Sequence, residues 1–320
     1  MPSEFDLIRR FFTRPSPHAA LGVGDDAALV RVADGMELAV STDMLLVGHH
    51  FFPDADPRKL GHKALAVNLS DMAAMGATPR WATLSIALPE ADEAWLSAFS
   101  EGFFALAQEY GVELVGGDTT RGPLTLCVQI MGEVPVGRAL RRSGARPGDE
   151  IWVSGYLGDA ALGLAYLQHR VELAPQEAAA CLSALHTPEP RVALGRGLLG
   201  VAHSAIDISD GLLADLGHIL ECSNVSAEIE FAALPASAAL KRHLDGEPGR
   251  SCLLAGGDDY ELCFTVPAER HGEVRDLACE LDLSLARIGT IKPGSGLRLL
   301  DERGAPMATG TRGYDHFAAD

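Results

Sequence analysis

Aspartates dominate the positions where this sequence could do chemistry. The stretch Gly22-Val23-Gly24-Asp25-Asp26-Ala27-Ala28 has the glycine spacing of a dinucleotide loop. Such a loop sets pyrophosphate against bare N–H groups at a helix N-terminus, and two carboxylates there would repel it. The same oxygens suit Mg2+, which takes oxygen ligands and keeps much of its water. Such a loop would hold phosphate only through metal.

Asp71, in "NLSDMAAMG", stands out for its surroundings. At about 100° per residue, Leu60, Ala64, Val67 and Asp71 fall on one stripe of a helix. A carboxylate in an apolar stripe is costly unless it has a partner, either a cation or a hydrogen-bonding neighbour. Asp43 follows Ser41 and Thr42 at a strand end, and Asp118 lies in "GGDTTRG". Each reads as a turn residue or as an oxygen ligand at the mouth of a sheet. Asp207, Ser209 and Asp210 precede a helix, as caps or as ligands. His49 and His50 are adjacent, which is poor spacing for joint ligation, so one of them is a candidate for substrate contact. There is no G-x-x-x-x-G-K-[ST], no G-x-S-x-G and no H-E-x-x-H. Many acids without a Walker loop point to metal-bridged phosphate chemistry.

The elements that must position these residues are of both kinds. Residues 36–42, 113–117, 124–134, 150–155, 227–234 and 262–267 are short β-prone runs. Asp56-Pro57 opens a helix that stops at Gly76, and residues 93–111 and 211–223 form two more. Adjacent strand pairs mixed with helices predict an α+β fold rather than a doubly wound parallel sheet. Three signatures recur in order: "GDDAAL" with "GDAAL", "NLSDMAAMG" with "DISDGLLADLG", and "GGDTT" with "GGDDY". They suggest two related domains, 1–140 and 148–320, joined near the polar stretch 141–150.

Composition narrows the partners. The 320 residues carry a formal net charge of −18. That argues against nucleic acid or an anionic membrane, and leaves small anions held through metal. No apolar run reaches the roughly 20 residues of a membrane span. The start lacks the apolar core of a secretory signal. Six scattered cysteines without C-x-x-C suggest reduced thiols in a cytoplasmic protein.

The segments "GVGDDAAL", "AVSTDMLLVGHHF", "HKALAVNLSDMAAMGATP", "GGDTTRG", "GRALRRSGARPGD", "AIDISDGLLADLGHI", "GGDDYELCFTVP" and "GYDHF" together resemble the thiamine-monophosphate kinases, along nearly the whole chain. That family belongs to the aminoimidazole ribonucleotide synthetase-like superfamily. The resemblance implies a homodimer joined through the N-terminal halves, and direct in-line transfer of the ATP γ-phosphoryl group to thiamine phosphate. It implies that Asp26, Ser41, Thr42, Asp43, Asp71 and Asp118, with Asp207 and Asp210 of the second half, hold several Mg2+ ions. It assigns Gly117, Asp118, Arg142 and Ser209 to ATP, and His50, Asp258 and Tyr314 to thiamine phosphate. It implies no covalent nucleophile and no general base. The family pattern has Glu where this sequence has Asp258, a carboxylate on a stem one carbon shorter. Two other classes fit the aspartates alone: another ATP-dependent enzyme of the superfamily, and a non-catalytic nucleotide-binding protein.

Overall fold

The computed structural model describes residues 3–307. Contacts divide the chain into two units: Met1–Met72 with Ala77–Gly137, and Ala73–Gly76 with the chain from Arg138 onward.

The first unit begins with helix α1 (Glu4–Leu7), a π-helical turn, and the antiparallel pair β1 (Ala19–Leu21) and β2 (Leu29–Val30). A four-stranded sheet follows, built from β3 (Met36–Leu46), β4 (Thr78–Leu88), β5 (Glu113–Arg121) and β6 (Thr125–Pro135). Its order is β3-β6-β4-β5, so β3 and β5 are the two edges. Only β4 and β5 run parallel within it. One face buries Ala82, Leu84, Ile86, Leu126, Val128 and Ile130. Helices α2 (Pro57–Ala74) and α3 (Glu93–Tyr110) supply the apolar side chains packed with them, among them Leu65, Leu69, Met72, Phe99 and Phe103.

Both helices start where their sequences say they should. Asp56 Oδ1 accepts from the Arg58 N–H, and Asp92 Oδ1 from those of Ala94 and Trp95. The helices cross backbone to backbone. A Cβ on Gly61 would stand 2.1 Å from the Phe99 carbonyl oxygen, and one on Gly102 1.8 Å from that of Arg58.

The second unit is a seven-stranded sheet of β7 (Glu150–Ser154), β8 (Ser204–Ile208), β9 (Ser226–Glu230), β10 (Glu261–Val266), β11 (Leu285–Lys292), β12 (Gly296–Leu300) and β13 (Pro306–Met307). The order is β13-β12-β9-β11-β7-β10-β8, antiparallel except where β12 meets β9. Its helices are α4 (Asp159–Leu167), α5 (Pro175–His186), α6 (Val192–Gly197), α7 (Leu212–Ser223), α8 (Ala238–Lys241), α9 (Glu247–Ala255) and α10 (His271–Glu280). Every residue of β8 and β10 is buried, as in strands covered on both faces. Both units mix helices with mainly antiparallel sheets, an α+β fold.

The three echoes seen in the sequence occupy unlike elements. Asp71 lies inside α2, whereas Asp210 precedes α7. Gly116 and Gly117 lie within β5, whereas Gly256 and Gly257 lie outside any strand. Glycine and aspartate serve turns and caps everywhere, so such short matches recur on unlike elements. Among the described residues no helix is long and apolar enough to cross a membrane.

Candidate functional site

In the first unit the candidate residues gather where α2 lies along β3. Ser41 and Asp43 alternate with exposed Val40, Thr42 and Met44, so they stand on the face toward α2. Ser41 Oγ donates to Asp71 Oδ2 at 2.5 Å. The Asp43 N–H donates to Asn68 Oδ1 at 3.2 Å, and Asn68 Nδ2 donates to the Ala64 carbonyl. Asn68 and Asp71, one helical turn apart, therefore lace α2 to the strand. The partner that Asp71 requires is in part a hydroxyl of the neighbouring strand.

Other predicted residues lie elsewhere in the same unit. Asp26 is exposed between β1 and β2, with its N–H on Asp25 Oδ1 at 2.9 Å. That setting is a loop between two short strands, not the strand-to-helix turn of a dinucleotide site. Asp118 is opposite Ser85 in the β4–β5 ladder. Both are exposed, on the side of the sheet that Thr42 also faces. The register aligns Asp43, Val128, Leu84 and Gly117 in one row across all four strands. Three strand spacings separate the ends of that row, about 14 Å. So the structure brings Ser41, Asp43 and Asp71 together, and sets Asp118 and Thr42 apart from them. Gly117 has φ 147, and a Cβ there would strike the Leu84 carbonyl. Only glycine lets the edge strand lie this close. His50 ends the turn after β3, and its Nδ1 accepts from the Leu46 N–H at 3.1 Å.

The second unit holds its candidates by backbone. Asp207 is buried in β8, opposite Leu262 of β10. At the end of β8, the N–H groups of Ser209 and Asp210 both donate to Asp215 Oδ2, at 3.1 and 3.0 Å. Burial pushes the Asp215 carboxyl up to about 7, against the pull of those N–H groups. The Asp258 N–H donates to the Ser209 carbonyl at 2.9 Å, and the Tyr260 N–H to that of Ile208 at 2.8 Å. These bonds staple the segment before β10 to the end of β8. Asp258 and Tyr260 have φ 68 and 50, left-handed values uncommon for residues other than glycine. Between them, both oxygens of Asp259 accept from the Gly158 N–H that opens α4. Burial raises the Asp259 carboxyl well above its usual range. Just beyond, Arg191 grips Glu261 through two nitrogens, at 2.7 and 2.6 Å. Arg142 is exposed, its carbonyl accepting from Ser223 Oγ at 3.2 Å. Tyr314 lies outside the described residues.

Sequence reasoning missed Asn68, Asp215, Asp259 and Tyr260, which hold the candidates in place. The spacing from Ser209 to Asp215 is the one available hint, since a helix-borne acid can cap the turn before it. Nothing in the sequence marks Asp259 as the inward member of its acidic pair.

The donor set suits Mg2+. Among the described residues no group of three or more His, Cys, Asp or Glu forms a ready cage. Ser41, Asp43 and Asp71 offer oxygen atoms only. Mg2+ is held by one or two carboxylates with water and substrate oxygens completing its shell, so an open oxygen set fits it.

The model of the AIR synthase related protein N-terminal domain matches residues 24–134, and that of the C-terminal domain matches residues 146–302. The thiamine-monophosphate kinase of Escherichia coli (strain K12) is 49% identical over 98% of both chains. The crystal structure of the thiamine-monophosphate kinase from Stenotrophomonas maltophilia K279a superposes with a TM-score of 0.84 at 49% identity, covering 88% of this chain and 91% of that one. AaThiL complexed with AMPPCP and TMP gives 0.78 at 33% identity, covering 92% of each. Joined to a two-unit α+β fold and an oxygen-only donor set, these similarities are decisive. The chain belongs to the thiamine-monophosphate kinase family.

Proposed function

We propose that this protein transfers the γ-phosphoryl group of ATP to thiamine phosphate, giving thiamine diphosphate by direct in-line displacement. The observation that carries this reading is the full-length 49% identity to a thiamine-monophosphate kinase. The Ser41–Asp71 contact beside Asp43 agrees with it. Asp26, Ser41, Thr42, Asp43, Asp71 and Asp118, and in the second unit Asp207 and Asp210, would hold Mg2+. When bound, the ions would neutralise oxygens of two mutually repelling anions.

The protein's own groups would do the rest. Gly117, Asp118, Arg142 and Ser209 would contact ATP, with the exposed Arg142 guanidinium answering phosphate charge. His50, Asp258 and Tyr314 would face thiamine phosphate. The acceptor oxygen needs no protein base, because a phosphate monoester with a second pKa of about 6 is largely dianionic at neutral pH. Burial pushes the Cys181 thiol up to about 12 and that of Cys252 to about 11, which leaves neither a ready nucleophile.

We read the protein as a homodimer as well. The outer face of the first sheet exposes Val40 and Met44, each at 52%, beside Leu38. An apolar strand face left to water is a docking surface. Within one chain Asp43 and Asp118 sit at opposite edges of that sheet. A second copy laid on the face would cover the apolar side chains.

Phosphorus NMR of ATP, Mg2+ and thiamine phosphate with the enzyme tests the reaction. The expected result is a pair of coupled diphosphate signals from the acceptor, growing with ADP and abolished by excess EDTA. Release of inorganic phosphate alone would overturn it.

A further inference from the structure

We propose that Tyr260 is a positioning residue. Its hydroxyl sets the rotamer in which the Asp258 carboxylate meets the cationic, N–H-bearing organic part of the acceptor, away from its phosphate. The inference rests on the functional reading above and names the part of the substrate that Asp258 serves.

The geometry is unusual in several independent ways. Tyr260 Oη donates to Asp258 Oδ1 at 3.0 Å, across only one intervening residue. Two side chains two positions apart on an extended strand point the same way but rarely bond, and on a helix they diverge. Here the bond forms because both residues are left-handed, with φ 68 and 50. Each such residue costs on the order of 1–3 kcal/mol, so the turn persists only where its surroundings enforce it. They do so from three sides: Asp259 on the Gly158 N–H, the Asp258 N–H on Ser209, and the Tyr260 N–H on Ile208. Strain held this firmly points to function, and the Tyr260–Asp258 contact is one product of it.

Charge decides what that pair meets. An ionised carboxylate only accepts hydrogen bonds and repels phosphate. Thiamine phosphate carries a thiazolium cation and an aminopyrimidine with N–H donors, and those are the groups a carboxylate attracts. The short stem matters too. A glutamate at 258 would carry its carboxylate one carbon further and would not meet the hydroxyl at the same point. With aspartate, the tyrosine hydroxyl completes a fixed acceptor.

The test is Tyr260→Phe, which deletes one oxygen atom. The KM for thiamine phosphate is expected to rise about tenfold, the worth of a hydrogen bond to a charged group. The kcat should stay within about twofold, the KM for ATP should be unchanged, and the melting temperature should stay close to wild type. In the double variant Asp258→Asn/Tyr260→Phe, the acceptor KM should be no worse than in Asp258→Asn alone. If Tyr260→Phe melts early, Asp258→Asn keeps the ring and hydroxyl and should show the same split between the two KM values. An unchanged acceptor KM, an equal rise in both KM values, or additive losses in the double variant would overturn the proposal. A wild-type enzyme that fails to phosphorylate thiamine phosphate would instead overturn the functional reading.

Discussion

Asp71 of the first unit and the pair Asp215 and Asp259 of the second are held in different ways. In the first unit Asp71 is met by a side-chain hydroxyl, and Asp26 and Asp118 are exposed. In the second unit Asp215 and Asp259 are gripped by backbone N–H groups, and burial raises both carboxyls. A hydroxyl partner is easily exchanged for a cation, while a carboxylate that satisfies backbone donors is committed to them. On the proposed function, the contrast separates acids that would bind a ligand from acids that would build the place where ligands bind. Both kinds look alike in the sequence.

The sharpest way to break that contrast is to neutralise one member of each class. Asp71→Asn is expected to cut kcat by about a hundredfold or more, the scale of losing a key electrostatic group, with the thermal midpoint almost unmoved. Steady-state kinetics and a melt on the same sample would show it. Full activity in that variant would erase the distinction from the first unit's side. Next in size, Val40→Asp on the exposed sheet face should convert the proposed dimer into a monomer, read by light scattering behind a sizing column. An unchanged mass would remove that face as the contact. Asp259→Ala should do the opposite of Asp71→Asn. Leaving the Gly158 N–H unpaired costs about 1–3 kcal/mol, seen as an earlier denaturant midpoint, while per-molecule turnover well below the transition stays nearer to wild type.

The smallest effect concerns pH. The Asp259 carboxyl is raised in the folded protein above its ordinary 3.8, chiefly by burial. The folded state therefore favours the protonated form. The stability this gives is complete below about 3.8 and is lost as pH climbs toward the raised folded value. Asp259→Asn keeps a neutral group, so its melting temperature relative to wild type should improve between pH 5 and pH 8. A constant difference over that range would place the charge elsewhere.

Much of the scaffold was readable from residue order. Asp56-Pro57 announced α2, the β-prone run at 124–134 became β6, and "LCFTVP" but for its proline falls within β10. The stripe through Leu60, Ala64, Val67 and Asp71 foretold a partner for the carboxylate, and Ser41 is one. Strand β4 was not anticipated, because its apolar and small residues, buried between β5 and β6, carry no clean alternation. The opposition of Asp43 and Asp118 was equally hidden. It depends on strand order and on the register shift between Ala82 and Thr83, which no local pattern encodes. Asp215 and Asp259 escaped notice for a related reason: their partners are amides, and every residue but proline has one.

The crossing of α2 and α3 sets a tolerance far from any ligand. Gly61 and Gly102 let the two backbones touch, and α2 then runs on to Asp71, about 15 Å further along its axis at 1.5 Å per residue. A stiff rod clamped at one end swings at the other. One added methyl group at Gly102 would tilt the helix and carry the carboxylate off its strand, so inherited changes at that distant pivot should be purged as strictly as changes at Asp71 itself.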